Sequence, residues 1–244
     1  MIDPHVLLGY PIEFKKLCLV YPPKVKDVVA NNSYAIYARL LTYSQEEIED
    51  EYVKAKMDVA LALNPFEYIL NNAYHNSQFK DMVEQAFQFF IHEPILMMFE
   101  EKTILIGNIT DVKSLHDLRV LREEDYFDFQ NTIRQVCGEH QVAPYDPNLH
   151  PRIKAMKAKA RYRDAIKRKN GVGLNLSSSL VAICLMNTGI NLLNIGELTY
   201  ASVSMLIRMY QQKEKYNIDI DSLLSGADSK KIKPEYWLQN LDDK

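Results

Sequence analysis

With 244 residues, 47% of them hydrophobic and 25% charged, the chain has an ordinary globular composition. It is long enough for one large or two small domains burying about 70–75% of the unfolded surface. Eight glycines are too few for a turn-rich sandwich or barrel or for glycine-lined phosphate loops, and the formal charge of the whole chain is −3. The reading is a mainly α protein with a small β component.

Residues 1–23 read as short extended pieces. Gly9, Pro11, Pro22 and Pro23 exclude a long helix, and Leu17–Tyr21 suits a buried strand. The opening MIDPHVLLGYPIEF has no charged start followed by an apolar core, so no signal peptide is expected. A helix is predicted to start after Pro23, at Lys24, and another at Ser33, with Tyr34, Tyr37, Ala38 and Leu41 on one face. Ser44-Gln45-Glu46-Glu47 has capping-box form, and the acidic helix it opens is predicted to run to about Leu63. Asn64-Pro65 starts the next helix, through Phe66, Ile69 and Leu70. Ser77 is the expected cap of a helix whose stripe of Phe79, Met82, Val83, Ala86, Phe87 and Phe90 reads as core.

The pattern then changes. Ile95–Phe99 and Thr103–Ile106 flank Glu100-Glu101-Lys102 and predict a hairpin near 95–106. Asp111 or Ser114 is expected to cap a short helix carrying Leu115, Leu118 and Leu121. A longer helix follows from Glu123 to His140, with Phe127, Gln130 and Ile133 to Val136 on its apolar side. Prolines at 144, 147 and 151 mark a boundary. It divides the chain into an N-terminal α(+β) domain, residues 1–140, a linker, 141–150, and a C-terminal helical domain, 151–244.

The second half opens on a basic helix, Pro151–Lys169. Arg152, Lys154, Lys157, Lys159, Arg161, Arg163, Lys167, Arg168 and Lys169 face a single acid, Asp164, a local charge of +8 that leaves −11 for the rest of the chain. These nine are the candidate binding residues. Such a helix can track phosphates, or meet the acidic remainder of the chain or an acidic partner. Ile153, Met156, Ala160 and Ile166 lie at helical spacing and are expected to dock on protein, leaving Lys157, Arg161 and Arg168 in solvent. Asn170-Gly171-Val172-Gly173 is a glycine stop. Ser177–Met186 predicts a buried helix, and residues 187–194 a turn-rich link. A helix from Ile195 or Glu197 runs through Leu198, Ala201, Val203, Leu206 and Met209 towards Tyr216. From Asp219 the tail alternates Leu223, Leu224, Tyr236, Trp237 and Leu241 with polar turns.

Little in the chain points to catalysis. Cys18, Cys137 and Cys184 give no disulfide framework, which favours a reduced, cytoplasmic setting. In that setting the glycosylation patterns at Asn31, Asn108 and Asn175 go unused. Cys137 and His140 have no second ligand pair at zinc-site spacing, and His150 stands alone. Gly171-Val172-Gly173 lacks the Lys-Ser/Thr ending of a phosphate loop. Glu46, Glu47, Glu49, Asp50 and Glu51 read as a solvated acidic face. The expectation is a protein that is not an enzyme, with no catalytic residues, metal or cofactor, and no run near 18 apolar residues to span a membrane.

Two passages resemble a known family. Tyr21-Pro22-Pro23-Lys24-Val25-Lys26-Asp27-Val28, the tyrosine-rich helix after it and Leu41-Thr42-Tyr43-Ser44 resemble the N-terminal region of tail assembly chaperones of long-tailed bacteriophages. The ending, Tyr210–Tyr216, Ile218–Leu224, Gly226–Lys231 and Tyr236-Trp237, is similar to C-terminal segments of small phage proteins encoded near the tape-measure gene. The resemblance implies a helical, non-enzymatic chaperone in the host cell cytoplasm that coats the tape-measure protein and recruits tail-tube subunits, with homo-oligomers among its forms. The alternatives are a nucleic-acid-binding module or a structural virion component using the basic helix.

Overall fold

The computed structural model describes residues 3–108, 118–169, 176–186, 189–228 and 232–237, without the side chains of 151 and 164–169. The protein is mainly α with two small antiparallel sheets. A four-residue helix, α1 (Pro4–Leu7), precedes a hairpin of β1 (Ile12–Phe14) and β2 (Cys18–Val20). Next come α2 (Val25–Ala30), α3 (Tyr34–Leu41), α4 (Gln45–Lys54), α5 (Pro65–His75) and α6 (Ser77–Ile91).

The core is centred on α6. Val83, Ala86, Phe87, Phe90 and Ile91 are buried along it, as the apolar stripe requires. Helices α3 and α5 pack on this face. Helix α7 (Glu123–Val136) joins them, its Phe129 ring stacking on Phe87 at 5.2 Å and meeting Phe14 edge-on at 5.5 Å. The α6 cap is Asn76 rather than Ser77. Its side-chain oxygen accepts from the Gln78 and Phe79 amides at 3.0 and 3.2 Å while its own backbone stays extended.

Strands β3 (Ile95–Met98) and β4 (Thr103–Ile106) form the expected hairpin, and a third strand, β5 (Arg119–Leu121), adds to β4. Leu121 therefore belongs to a strand, opposite Ile104, and not to a helix. Arg119-Val120-Leu121 satisfies the free edge of β4. Asp111, Ser114 and Leu115 lie outside the described residues.

Helix α4 ends at Lys54, well short of Leu63. Val53, Met57 and Leu61 are each more than half exposed, so continuing the helix would bury no apolar face. The chain turns at Lys56 (φ 58°) into a 3-10 turn, Val59–Leu61, capped by Asp58. Helix α7 stops at Val136, followed by left-handed Gly138. Its inward face is Tyr126, Phe129, Gln130, Ile133, Arg134 and Val136, with the expected Phe127 only half-buried.

Residues 139–150 form no helix or strand. Beyond them lie α8 (Pro151–Lys169), α9 (Leu176–Leu185), a 3-10 turn (Ile195–Glu197) and α10 (Tyr200–Leu224). The start of α10 is stitched to the N-terminal elements. The Tyr200 amide donates to Pro23 O (2.8 Å), the Val25 amide to Leu198 O (2.9 Å), and the Ser202 hydroxyl to Leu7 O (2.6 Å). Glu197 accepts from Lys24 and Lys26 at 2.9 and 2.7 Å, and these two lysines hold its carboxyl down at about 2. Ala201 is fully buried in the main core. Val25, Ile183, Ile195 and Val203 make a second small cluster.

Helix α9 buries only Ser179 and Ile183, leaving Val181 and Leu185 in solvent, so it has one buried face rather than being buried throughout. Leu198 precedes α10, because Thr199 is the cap, its hydroxyl accepting from the Ser202 amide at 3.1 Å. The helix continues through 219–224, residues expected in the tail. No proline or glycine interrupts it before Gly226, which takes a left-handed φ of 90°. Tyr236 and Trp237 return along α10 to meet Tyr216 and Lys213. The glycine stop and Leu241 lie outside the described residues. Among the described residues no helix is long and apolar enough to cross a membrane.

Candidate functional site

Helix α4 has one buried apolar residue, Ile48, and owes its shape to its ends and its charges. The capping box forms as its sequence dictates. Ser44 Oγ accepts from the Glu47 amide (3.3 Å) and the Glu47 carboxylate accepts from the Ser44 amide (3.0 Å). Each carboxylate then takes a partner from another element. Glu47 lies 3.9 Å from Arg39 on α3. Glu51 accepts from the hydroxyls of Tyr43 and Tyr68, and Glu49 from that of Tyr145. Burial, and then these carboxylates, push the Tyr68 and Tyr145 hydroxyls up to about 12. The acidic face is thus a hub rather than a solvated surface.

Two of its carboxylates hold the basic helix. Asp50 Oδ2 accepts from Arg161 Nε and Nη2 at 3.1 and 2.9 Å, and Glu46 lies 3.9 Å from Lys157. Lys154 donates to Pro147 O at 2.9 Å and stands over the Tyr145 ring, its ammonium 5.6 Å from the centroid. The side of α8 turned to the protein is therefore Lys154, Ala158 and Arg161, all half-buried.

This reverses the expected orientation. Ile153 and Met156 are 45% and 66% exposed and Ala160 is exposed, while Arg161 is drawn inward. Lys157 stays largely exposed, as expected. The reason is electrostatic and steric together. The carboxylates of α4 select the Lys157–Arg161 side, and the small Ala158 lets that side approach. The side chains of Ile166, Lys167, Arg168 and Lys169 are not among those described.

Arg152, Lys159 and Arg163 are exposed, and their side chains make no hydrogen bond or ion pair with a described residue. At about 3.6 residues per turn they fall along one edge of the line formed by Met156, Ala160 and Ile153. The outward flank of α8 is thus an exposed apolar line with a cationic border, and its Ala160 end also borders the space between α8 and α4.

Between α3, α4 and α8 lies an open cleft of about 1400 Å³. At its floor Arg134 is 6% exposed. Its Nη2 donates to Thr42 O at the end of α3, Nη1 finds no partner among the described residues, and burial lowers its pKa. Gln130, one turn earlier, donates to Tyr43 O at 2.8 Å. The sequence signal for this pair is two polar residues, i and i+4, on an otherwise apolar face.

Cys18 and Cys137 are buried, and burial pushes both thiols up to about 12. Among the described residues no three His, Cys, Asp or Glu side chains gather as metal ligands.

Residues 166–242 match the family model of the YomV second domain, a phage-associated family. The match takes in the end of α8, α9, α10 and most of the tail, about the last third of the chain. No curated protein and no solved structure matches the chain.

Proposed function

We propose that this is a non-enzymatic phage tail assembly chaperone that binds tape-measure and tail-tube proteins in the host cytoplasm, using α8 as part of its binding surface. The observation that carries this reading is the outward face of α8. A helix held to the body by side-chain ends leaves Ile153, Met156 and three cations without a described partner in solvent, on a chain whose C-terminal third matches a phage-associated family. Exposed apolar residues rimmed by charge mark protein-docking surfaces. Co-expression with the tape-measure protein raises that protein's soluble yield; an unchanged yield defeats the proposal.

A second reading, a nucleic-acid-binding module or virion component, draws on the same cations. Three phosphate contacts through Arg152, Lys159 and Arg163 give log K against log salt a slope of about −2.7 on duplex DNA. Absence of binding at low salt removes the nucleic-acid-binding module.

A further inference from the structure

We infer that the outward face of α8 docks an acidic amphipathic helix of the partner protein, lying along the line of Ile153, Met156 and Ala160. The inference rests on the chaperone reading for the identity of the partner, but not for its chemistry. Ile153, Met156 and Ala160 are spaced by three and then four residues, the interval at which one helix presents a seam to another. All three are exposed, although buried positions elsewhere in the chain are filled by residues of the same kind.

The border of that seam fixes the sign of the partner. Arg152, Lys159 and Arg163 run along one edge and Lys157, on the other, is still half in solvent. Glu46 meets the Lys157 edge at 3.9 Å, the other α4 carboxylates are engaged away from this face, and no described carboxylate pairs with Arg152, Lys159 or Arg163. A helix carrying its own apolar seam flanked by Glu or Asp satisfies both features. Nucleic acid and a lipid headgroup layer satisfy the charge alone or need a deeper apolar face than three residues, one of them alanine, provide.

The test titrates the full-length protein into a fluorescently labelled synthetic helix of about 21 residues, with leucines at heptad spacing and flanking glutamates. A peptide of the same composition with the spacing scrambled, a short DNA duplex and phosphatidylglycerol vesicles serve as comparisons. The acidic amphipathic peptide binds at least about tenfold more tightly than the scrambled one. Met156→Ser and Lys159→Glu each weaken it by about tenfold, and Lys159→Arg restores it.

Because Met156 is exposed, Met156→Ser folds normally, and a matched thermal melt checks this. Equal binding of the two peptides, or indifference to Met156→Ser, overturns the proposal. So does tighter binding to DNA or vesicles, or a concentration-dependent dimer that Met156→Ser abolishes, which assigns the face to a second copy. If co-expression rescues the tape-measure protein but the peptide does not bind, the docking inference fails and the chaperone reading stands. If the peptide binds but co-expression rescues nothing, the docking inference stands and the chaperone reading fails.

Discussion

Gly138→Ala tests the seam where α7 ends and α10 begins. Gly138 has φ +76°, and a methyl group built there lies 2.9 Å from Ala201 Cα and 3.1 Å from Ala201 Cβ. Two costs add. The left-handed conformation costs a non-glycine residue about 1–2 kcal/mol. Forcing a methyl against α10 backbone costs about 1–3 kcal/mol more, as overpacking does in close-packed cores. The expected loss is about 2–5 kcal/mol, or about 2–4 °C in Tm for each kcal/mol in a chain of this size. Gly226→Ala is the control. It has φ +90° and, among the described residues, nothing within 4 Å of an added methyl, so it carries at most the backbone cost. Urea unfolding of both variants separates the two contributions. If they lose the same stability within about 0.5 kcal/mol, α7 and α10 do not approach as closely as described.

Ser44→Ala removes the capping-box acceptor and costs about 1 kcal/mol in urea denaturation. Met156→Ala changes stability by no more than about 0.5 kcal/mol, because the side chain is 66% exposed; a loss above about 2 kcal/mol shows α8 packed the other way round. Arg161→Glu places like charges against Asp50 and releases α8, so limited trypsin digestion cuts within 152–169 faster than in the wild type while the melting temperature moves little. With their thiols raised to about 12 by burial, Cys18 and Cys137 are neutral at pH 8 and resist a thiol-reactive disulfide until the protein unfolds; rapid labelling of either contradicts their burial.

What is legible in the sequence is local. The capping box at Ser44, the Asn64-Pro65 helix start, the hairpin at 95–106 and the limits of α8 all rest on residues within a few positions of one another. The features that escape it depend on distant groups. Arg119–Leu121 becomes a strand only because β4 has a free edge. The orientation of α8 is not contained in its own periodicity, since Ile153, Met156 and Ala160 do form a line. Asp50 and Glu46, about a hundred residues earlier, decide which side turns inward. An acidic run such as 46–51 reads as solvated unless the tyrosines and arginines that meet it are known, and these come from α3, α5, the 139–150 segment and α8. The inward face of α7 shows the same limit. Tyr126 and Phe129 flank the expected Phe127, and a shift of one position changes which residues meet the core.

Site-specific photo-crosslinking in cells co-expressing the tape-measure protein asks whether the outward face of α8 meets the client. A photoreactive phenylalanine analogue replaces Met156 on the outward face or Ala158 on the half-buried inward face in separate variants. The expected result is a crosslink to the tape-measure protein from position 156 and little or none from position 158. Crosslinking from 158 but not 156, or from neither while the client is still solubilised, contradicts docking on this face.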